Sequence, residues 1–121
     1  MSRPDPRPWL EVKQVGTAAV MKLPEGNLYH DEAIDVIGEE LNHLITTSGC
    51  HRVVLDFGSV DHISTELLGV LLVAHKRAIS LGHRLTLCSL NANLLGVFAT
   101  LRLDHVFTLA ANEKEALGDT P

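Results

Sequence analysis

The chain has 121 residues and a formal net charge of −5, with 45% hydrophobic and 21% charged residues. This length suits one domain with one hydrophobic core, and the composition is that of a folded globular protein rather than a disordered one. The negative charge and the lack of a basic run argue against nucleic acid or an anionic membrane surface as a partner, because both require concentrated positive charge.

The cysteine content and the lack of long apolar segments favour a cytoplasmic location. Two cysteines, Cys50 and Cys88, are too few for a disulfide scaffold. The N-terminus lacks the apolar segment of a secretory signal, and the longest apolar-rich stretch, 67–74, is too short to cross a bilayer. We therefore expect a soluble, cytoplasmic protein with reduced thiols and no membrane partner.

The start of the chain predicts a flexible arm followed by a β-hairpin. Residues 1–8 contain three prolines at alternate positions, a pattern typical of an extended and mobile arm. The domain itself is expected to cover residues 9–121. Strand-like residues occupy 9–14 and 17–23, and the Val15-Gly16 step between them predicts a hairpin turn.

After this hairpin, which Pro24-Glu25-Gly26 ends, the pattern changes from strand to helix. Apolar residues then recur at helical spacing on one face, and Ser48-Gly49 ends the predicted helix; these residues are Ile34, Ile37, Leu41, Leu44 and Ile45. Residues 52–57 predict a strand. Its unbroken apolar run, 53–55, indicates a central strand that is covered on both faces. We expect residues 58–63 to form a loop.

The second half of the chain alternates helices with strands. A helix is predicted from Glu66 to about Leu81, and its first half is apolar on nearly every side. We expect that half to be buried on several sides or to present an apolar surface to a partner. The remaining predicted elements are a strand at 84–90, a helix capped by Asn91 or Asn93, a strand at 104–109 and a final helical turn or two at 112–117.

This order of elements predicts an α/β fold. The alternating helices and strands favour parallel strands joined by right-handed crossovers, whereas the opening hairpin contributes an antiparallel pair. We therefore expect a mixed sheet of four to five strands, with about four α-helices mainly on one side.

The segment VVLDFGSVDHISTELLGVLL, residues 53–72, carries the most functional information. It places Ser64 and Thr65 before an apolar helix, in the region beyond the strand ends where α/β sheets form binding sites. A hydroxyl at this place can cap the free backbone N–H groups of the helix. A phosphorylated hydroxyl would instead put negative charge at the positive end of the helix dipole, where the fold tolerates it. Spacing alone leaves both interpretations open.

The same segment resembles the STAS domain family, and within it the bacterial anti-sigma-factor antagonists. Members typically carry a stretch similar to residues 53–72, and the resemblance continues through Gly82-His83-Arg84-Leu85 and Leu101-Arg102-Leu103-Asp104. Gly26-Asn27-Leu28 is similar to the loop that precedes the first helix in the family. The resemblance covers nearly the whole chain after Trp9 and implies an STAS-like fold.

The resemblance implies regulation by partner switching, without catalysis, a cofactor or a metal ion. An antagonist of this type binds an anti-sigma factor, often a serine/threonine kinase, and so frees a sigma factor. Phosphorylation at the start of the second helix would abolish the complex, and a phosphatase of the PP2C type would restore it. We therefore expect a non-enzymatic anti-sigma-factor antagonist that is a monomer or a weak homodimer.

The resemblance also implies the site residues. The phosphoacceptor position of the family falls on Thr65, and Ser64 is the second candidate. The expected partner-binding residues are Asn27, Tyr29, His30, Asp61, His62, Glu66, Leu67 and Leu68. The chain departs from the family pattern at four of its positions, where Ser64 replaces an aspartate, Glu66 a hydroxyl residue, Leu67 a glycine and Tyr29 an acidic residue.

Other functions remain open from the sequence. An STAS scaffold that is never phosphorylated would use the same surface for constitutive binding or self-association. Asp56 ends a buried strand, as the phosphoacceptor of a response-regulator receiver does, although the acidic pair and the late lysine of receivers are missing. Asp61, His62 and Ser64 place an acid, a base and a hydroxyl in one loop, whereas triad residues usually come from separate elements. The seven histidines are scattered singly and predict no metal site.

Overall fold

A computed structural model of the chain describes residues 10–24, 26–28, 31–46 and 50–118. The predicted arm at 1–8 lies outside the described residues, as do Tyr29, His30 and the predicted helix end at Ser48-Gly49. Within the described ranges, every helix is too short or too polar to span a membrane.

The described residues form seven strands and four α-helices. In chain order these are β1 (Glu11–Val15), β2 (Ala18–Lys22), β3 (Gly26–Leu28), α1 (Asp31–Thr46), β4 (Arg52–Asp56), β5 (Val60–Ile63), α2 (Thr65–Ser80), β6 (Arg84–Cys88), α3 (Ala92–Thr100), β7 (Thr108–Ala110) and α4 (Glu113–Gly118). A five-stranded sheet has the order β1-β2-β4-β6-β7. The β1–β2 pair is antiparallel and the other pairs are parallel, so the predicted mixed α/β fold is confirmed.

The core lies mainly on one face of this sheet. Val53 and Leu55 of β4 pack there with apolar residues of α1, α2 and α3, whereas Val54 on the opposite face packs near α4 with Val20, Cys88 and Ala116. The three consecutive β4 residues are all buried, which confirms that this strand is central and covered on both faces. The helices are unevenly divided: of those in the described ranges, the short α4 alone covers the second face.

The apolar residues of α2 are divided between a buried inner side and a partly exposed outer side. Leu71 and Ala78 are fully buried on its inner side, whereas the Val73 side chain is 61% exposed. Helices α1 and α2 approach closely at Gly38, where an added Cβ would lie 3.2 Å from a methyl carbon of Val70. The apolar first half of α2 is therefore mostly core, as expected, with part of its outer side left open.

Two predictions were wrong. Residues 58–63 are not only a loop, because β5 forms within them and pairs in parallel with β3 in a separate two-stranded sheet. The predicted strand at 104–109 is in fact a 3-10 helix, Leu103–His105, followed by β7, which starts at Thr108. Arg102 adopts a left-handed conformation with φ 59°, which reverses the chain before this turn. Phe107 then packs into the core beside Phe98, at a ring-centroid distance of 5.8 Å.

Candidate functional site

The candidate site is the corner where β5 ends and α2 begins, residues 61–66, which we call the α2 corner. Its position is set by the parallel pairing of β5 with β3, in which Asn27 is opposite His62 and Leu28 is opposite Ile63. The backbone pairing therefore brings two predicted partner-binding segments together, the one before α1 and the one before α2. Sequence analysis placed both segments on one surface but missed the strand pair that joins them.

The two hydroxyl residues of the α2 corner have different roles. Ser64 is the N-cap of α2, and its hydroxyl oxygen accepts a hydrogen bond of 3.2 Å from the backbone N–H of Leu67. Thr65 is the first helical residue and its side chain is exposed. Within the described ranges the Thr65 hydroxyl has no hydrogen-bond partner. The capping role therefore belongs to Ser64, and the Thr65 hydroxyl is accessible from solvent.

The α2 corner also carries two acidic side chains. Asp61 and Glu66 are both exposed, and Glu66 lies in the first turn of α2, where a carboxylate is favoured by the helix dipole. The same dipole would favour a phosphate on Thr65, although Glu66 would oppose it by like-charge repulsion. Added negative charge at the start of α2 would therefore be favoured by the helix dipole and opposed by Glu66.

The start of α3 supports β5 from the side. Asn91 caps α3 by accepting from Leu94 N–H at 2.8 Å, and its amide nitrogen donates to the Val60 carbonyl at 3.3 Å. The amide nitrogen of Asn93 lies 2.8 Å from Nδ1 of His62, so this ring nitrogen accepts the hydrogen bond. Asn91 and Asn93 were identified from the sequence as alternative caps, and Asn91 fills that role. Their contacts with β5 were missed because nothing in a local pattern predicts a long-range hydrogen bond.

The predicted partner-binding residues separate by burial. Asp61, His62 and Glu66 are exposed, whereas Leu67 and Leu68 are only 0% and 5% exposed and belong to the core. The side chains of Leu67 and Leu68 are therefore not part of the α2 corner surface, and their predicted place in it is corrected. The helical periodicity explains the difference, because residues 67, 68 and 71 share the inner side of α2.

Asp56, the residue considered as a receiver-type phosphoacceptor, has a structural role. One of its carboxylate oxygens accepts from the backbone N–H of Gly58 at 2.8 Å, which fixes the start of the following turn. The described part of the chain contains no group of three or more histidine, cysteine or acidic side chains able to hold a metal ion. The geometry therefore gives no support to a metal-dependent aspartyl-phosphate switch at this place.

The acid, base and hydroxyl of the loop are not arranged as a triad. His62 directs Nδ1 to Asn93, and the Ser64 hydroxyl is engaged with the Leu67 N–H. No described hydrogen bond joins His62 to Ser64 or Asp61 to His62. The contacts of the α2 corner are those of a capped helix on an exposed surface.

Comparison with known proteins agrees with this architecture. A model of the STAS domain family matches residues 10–116. An anti-sigma-factor antagonist (STAS) domain protein from Planctomyces limnophilus superposes with a TM-score of 0.76 at 17% identity, covering 89% of this chain and 93% of that one.

The fold is also similar to that of the anti-sigma factor antagonist SpoIIAA. Its unphosphorylated form gives a TM-score of 0.72 at 18% identity, covering 90% of this chain and 94% of that chain. The phosphorylated form of SpoIIAA, a Bacillus cell fate determinant, gives a TM-score of 0.71 at 19% identity, covering 90% and 96%. At these identities the likeness establishes the fold.

Proposed function

Because the chain belongs to the STAS domain family, we propose that it is an anti-sigma-factor antagonist that switches partners at the α2 corner. One observation carries this proposal: the Thr65 hydroxyl is exposed and unpaired within the described ranges, while its neighbour Ser64 provides the helix cap. A hydroxyl that capped the helix would have to leave its hydrogen bond before it accepted a phosphate. Thr65 has no such bond to break.

In the proposed unmodified state the α2 corner docks on an anti-sigma factor. The exposed residues Asp61, His62 and Glu66 would form the contact together with Asn27, which the β3–β5 pairing places beside His62. Tyr29 and His30 follow Asn27 in the sequence and complete the proposed surface. The protein acts by binding and performs no chemistry of its own, as is general for antagonists of this family.

In the proposed modified state a phosphate on Thr65 opposes docking. The group adds a charge of about −1.5 to −2 to a surface that already carries two carboxylates. Removing this charge from water on contact costs free energy. Because the group sits at the N-terminus of α2, the helix dipole stabilises it in the free protein. Phosphorylation therefore separates the partners without unfolding the domain.

The proposal is tested by incubating the protein with a kinase-type anti-sigma factor and ATP and locating the phosphate by mass spectrometry. We expect one phosphate on Thr65 in the wild-type protein and none in Thr65→Ala. Ser64→Ala is the matched control and should still be phosphorylated on Thr65. Phosphate on Ser64 alone would contradict the assignment of Thr65. A wild-type protein that binds the kinase but takes up no phosphate would instead indicate a constitutive STAS scaffold.

A further inference from the structure

A second candidate site lies at the opposite end of the sheet from the α2 corner. The dipeptide His-Arg occurs twice, as His51-Arg52 before β4 and as His83-Arg84 before β6. The structure brings both copies to one cleft of about 630 Å³, a volume typical of small-molecule sites. The cleft is lined by Val15, Gly16, Thr17, Ala18, His51, Arg52, Ile79, Gly82, His83, Arg84 and Leu117, with no acidic residue among them.

The two arginines are neighbours on adjacent strands. Arg52 and Arg84 are register partners in the parallel β4–β6 pair, so their Cα atoms are about 4.8 Å apart and their side chains share one face of the sheet. In the described part of the chain neither guanidinium lies within ion-pair distance of a carboxylate. Two adjacent cations without a counter-ion are an unusual feature in a protein of net charge −5.

Most of the hydrogen-bonding capacity of these groups is unused. Arg52 donates one long bond of 3.4 Å to the Ala116 carbonyl and another of 3.5 Å to the Leu117 carbonyl. The Arg84 guanidinium donates no described hydrogen bond, although the Arg84 backbone N–H donates to the His51 carbonyl at 2.9 Å, and the residue is exposed. Nδ1 of His83 lies 2.9 Å from the Ile45 carbonyl oxygen, which can only accept, so Nδ1 carries a proton and donates this hydrogen bond. No described hydrogen bond uses Nε2 of His83.

Part of the remaining lining of the cleft is apolar. The Val15 side chain is 42% exposed and that of Ile79 is 61% exposed, which is high for large aliphatic residues. Together with the half-buried Leu117 they add hydrocarbon surface to the cleft that Arg52 and Arg84 also line. A ligand that fits both features combines a compact anion with an apolar portion.

We propose that this cleft binds a small organic phosphate, with the phosphate group held by Arg52 and Arg84 and the organic portion against Val15 and Ile79. The planar guanidinium fork matches phosphate oxygens in a bidentate manner, which favours this anion. The site is independent of the α2 corner because the whole of α2, 16 residues or about 24 Å, separates the cleft from Thr65.

The proposal is tested by isothermal titration calorimetry of the full chain with phenyl phosphate, inorganic phosphate and phenol. We expect phenyl phosphate to bind with a Kd of about 1 mM or tighter, inorganic phosphate more weakly, and phenol not measurably. Arg84→Gln should weaken phenyl phosphate by about tenfold or more, since hydrogen bonds to charged groups are among the strong ones. The matched control is Arg77→Gln, an exposed arginine of α2 outside the cleft, which should leave the affinity unchanged.

Nuclear magnetic resonance of the wild-type protein keeps the test independent of the variants. Phenyl phosphate should shift the backbone amides of residues 15–18, 51–52 and 82–84 and leave those of residues 61–66 unchanged. Undetectable binding of phenyl phosphate would overturn the proposal. Equal affinities of Arg84→Gln and Arg77→Gln, or shifts centred away from the cleft, would also overturn it.

Discussion

The two ends of helix α2 present opposite chemistry on one rigid element. At its N-terminus the α2 corner exposes the Thr65 hydroxyl together with the carboxylates of Asp61 and Glu66. At its C-terminus Ile79 and Gly82 border a cleft with two arginines and no acidic residue. Under the two proposals, added negative charge on Thr65 disturbs a docked partner at the first end, whereas a negatively charged ligand is bound at the second. The acidic surroundings of Thr65 thus suggest a phosphorylation switch at the α2 corner, and the two arginines suggest an anion-binding site in the cleft.

Both ends depend on how firmly the inner side of α2 is held against the sheet. Leu67, Leu71 and Ala78 lie along that side and are fully buried. The middle of the helix thus fixes the N-terminal corner and the C-terminal cleft relative to the sheet. Substitutions on its two sides separate this structural contribution from the chemistry at its ends.

The largest effect is expected in the middle of α2. Leu71→Ala removes a fully buried side chain and should lower the free energy of unfolding by about 2–5 kcal/mol, because it loses apolar contacts and leaves a cavity. Val73→Ala, two residues away with a 61% exposed side chain, is the matched control and should change it by less than about 0.5 kcal/mol. Urea denaturation measures both values. Similar losses in the two variants would show that α2 is not packed as described.

A smaller effect is expected from the buried thiol at the carboxyl end of β6. Burial raises the pKa of Cys88 from 9.0 to about 11. Above pH 9 the unfolded chain therefore releases this proton while the folded protein still holds it, so stability falls as the pH rises from 9 to 11. The slope is at most about 1.4 kcal/mol per pH unit from this group.

The variant Cys88→Ala isolates this contribution from the other groups that titrate at high pH. It should be less stable than the wild type near neutral pH, because it leaves a small cavity, and should lose less stability between pH 9 and 11. Denaturation curves at several pH values supply the comparison. An unchanged slope would contradict the raised pKa.

A still smaller effect distinguishes the two hydroxyls of the α2 corner. Ser64→Ala removes the N-cap of α2 and should cost about 1 kcal/mol of stability. Thr65→Ala removes an exposed hydroxyl with no described partner and should change stability by less than about 0.5 kcal/mol. Thermal or urea unfolding measures the stability change of each variant. A larger loss for Thr65→Ala would mean that Thr65 has a structural role and is not held free for modification.

The sequence was sufficient to predict the long helices and the central strand. Helix α2 and the central strand β4 were predicted close to their observed bounds, and α1 was predicted as a helix whose expected end lies outside the described residues. These predictions succeed because helical spacing and an unbroken apolar run reflect burial directly. The cap of α3 was narrowed to two residues and is Asn91. Local signals of this kind need only the residues that are adjacent along one helix or strand.

The elements that were missed depend on distant residues. Strands β3 and β5 have three and four residues and are stabilised by each other, with a register shift between Gly26 and Asn27 that no alternation pattern predicts. Residues 104–109 were predicted as a strand, whereas residues 103–105 form a 3-10 helix after the left-handed Arg102 and Phe107 packs into the core.

The candidate site shows the same division. The position of Thr65 followed from the resemblance, but its separation from the capping role of Ser64 required coordinates. Leu67 and Leu68 were assigned to the surface because their burial depends on the rotation of α2, which the sequence left open for a helix apolar on most sides. The cleft lined by Arg52 and Arg84 was missed because these two residues are distant in the sequence. They become neighbours only through the pairing of β4 with β6.

The central claim is that charge on Thr65 governs docking at the α2 corner. The most direct test is the affinity of a kinase-type anti-sigma factor for the protein carrying one phosphate on Thr65, measured by calorimetry beside the unmodified protein. The account predicts that phosphorylation weakens binding by at least about tenfold, because the added charge must be removed from water when the partner docks, with the fold unchanged by circular dichroism. Equal affinity of the two forms would contradict it.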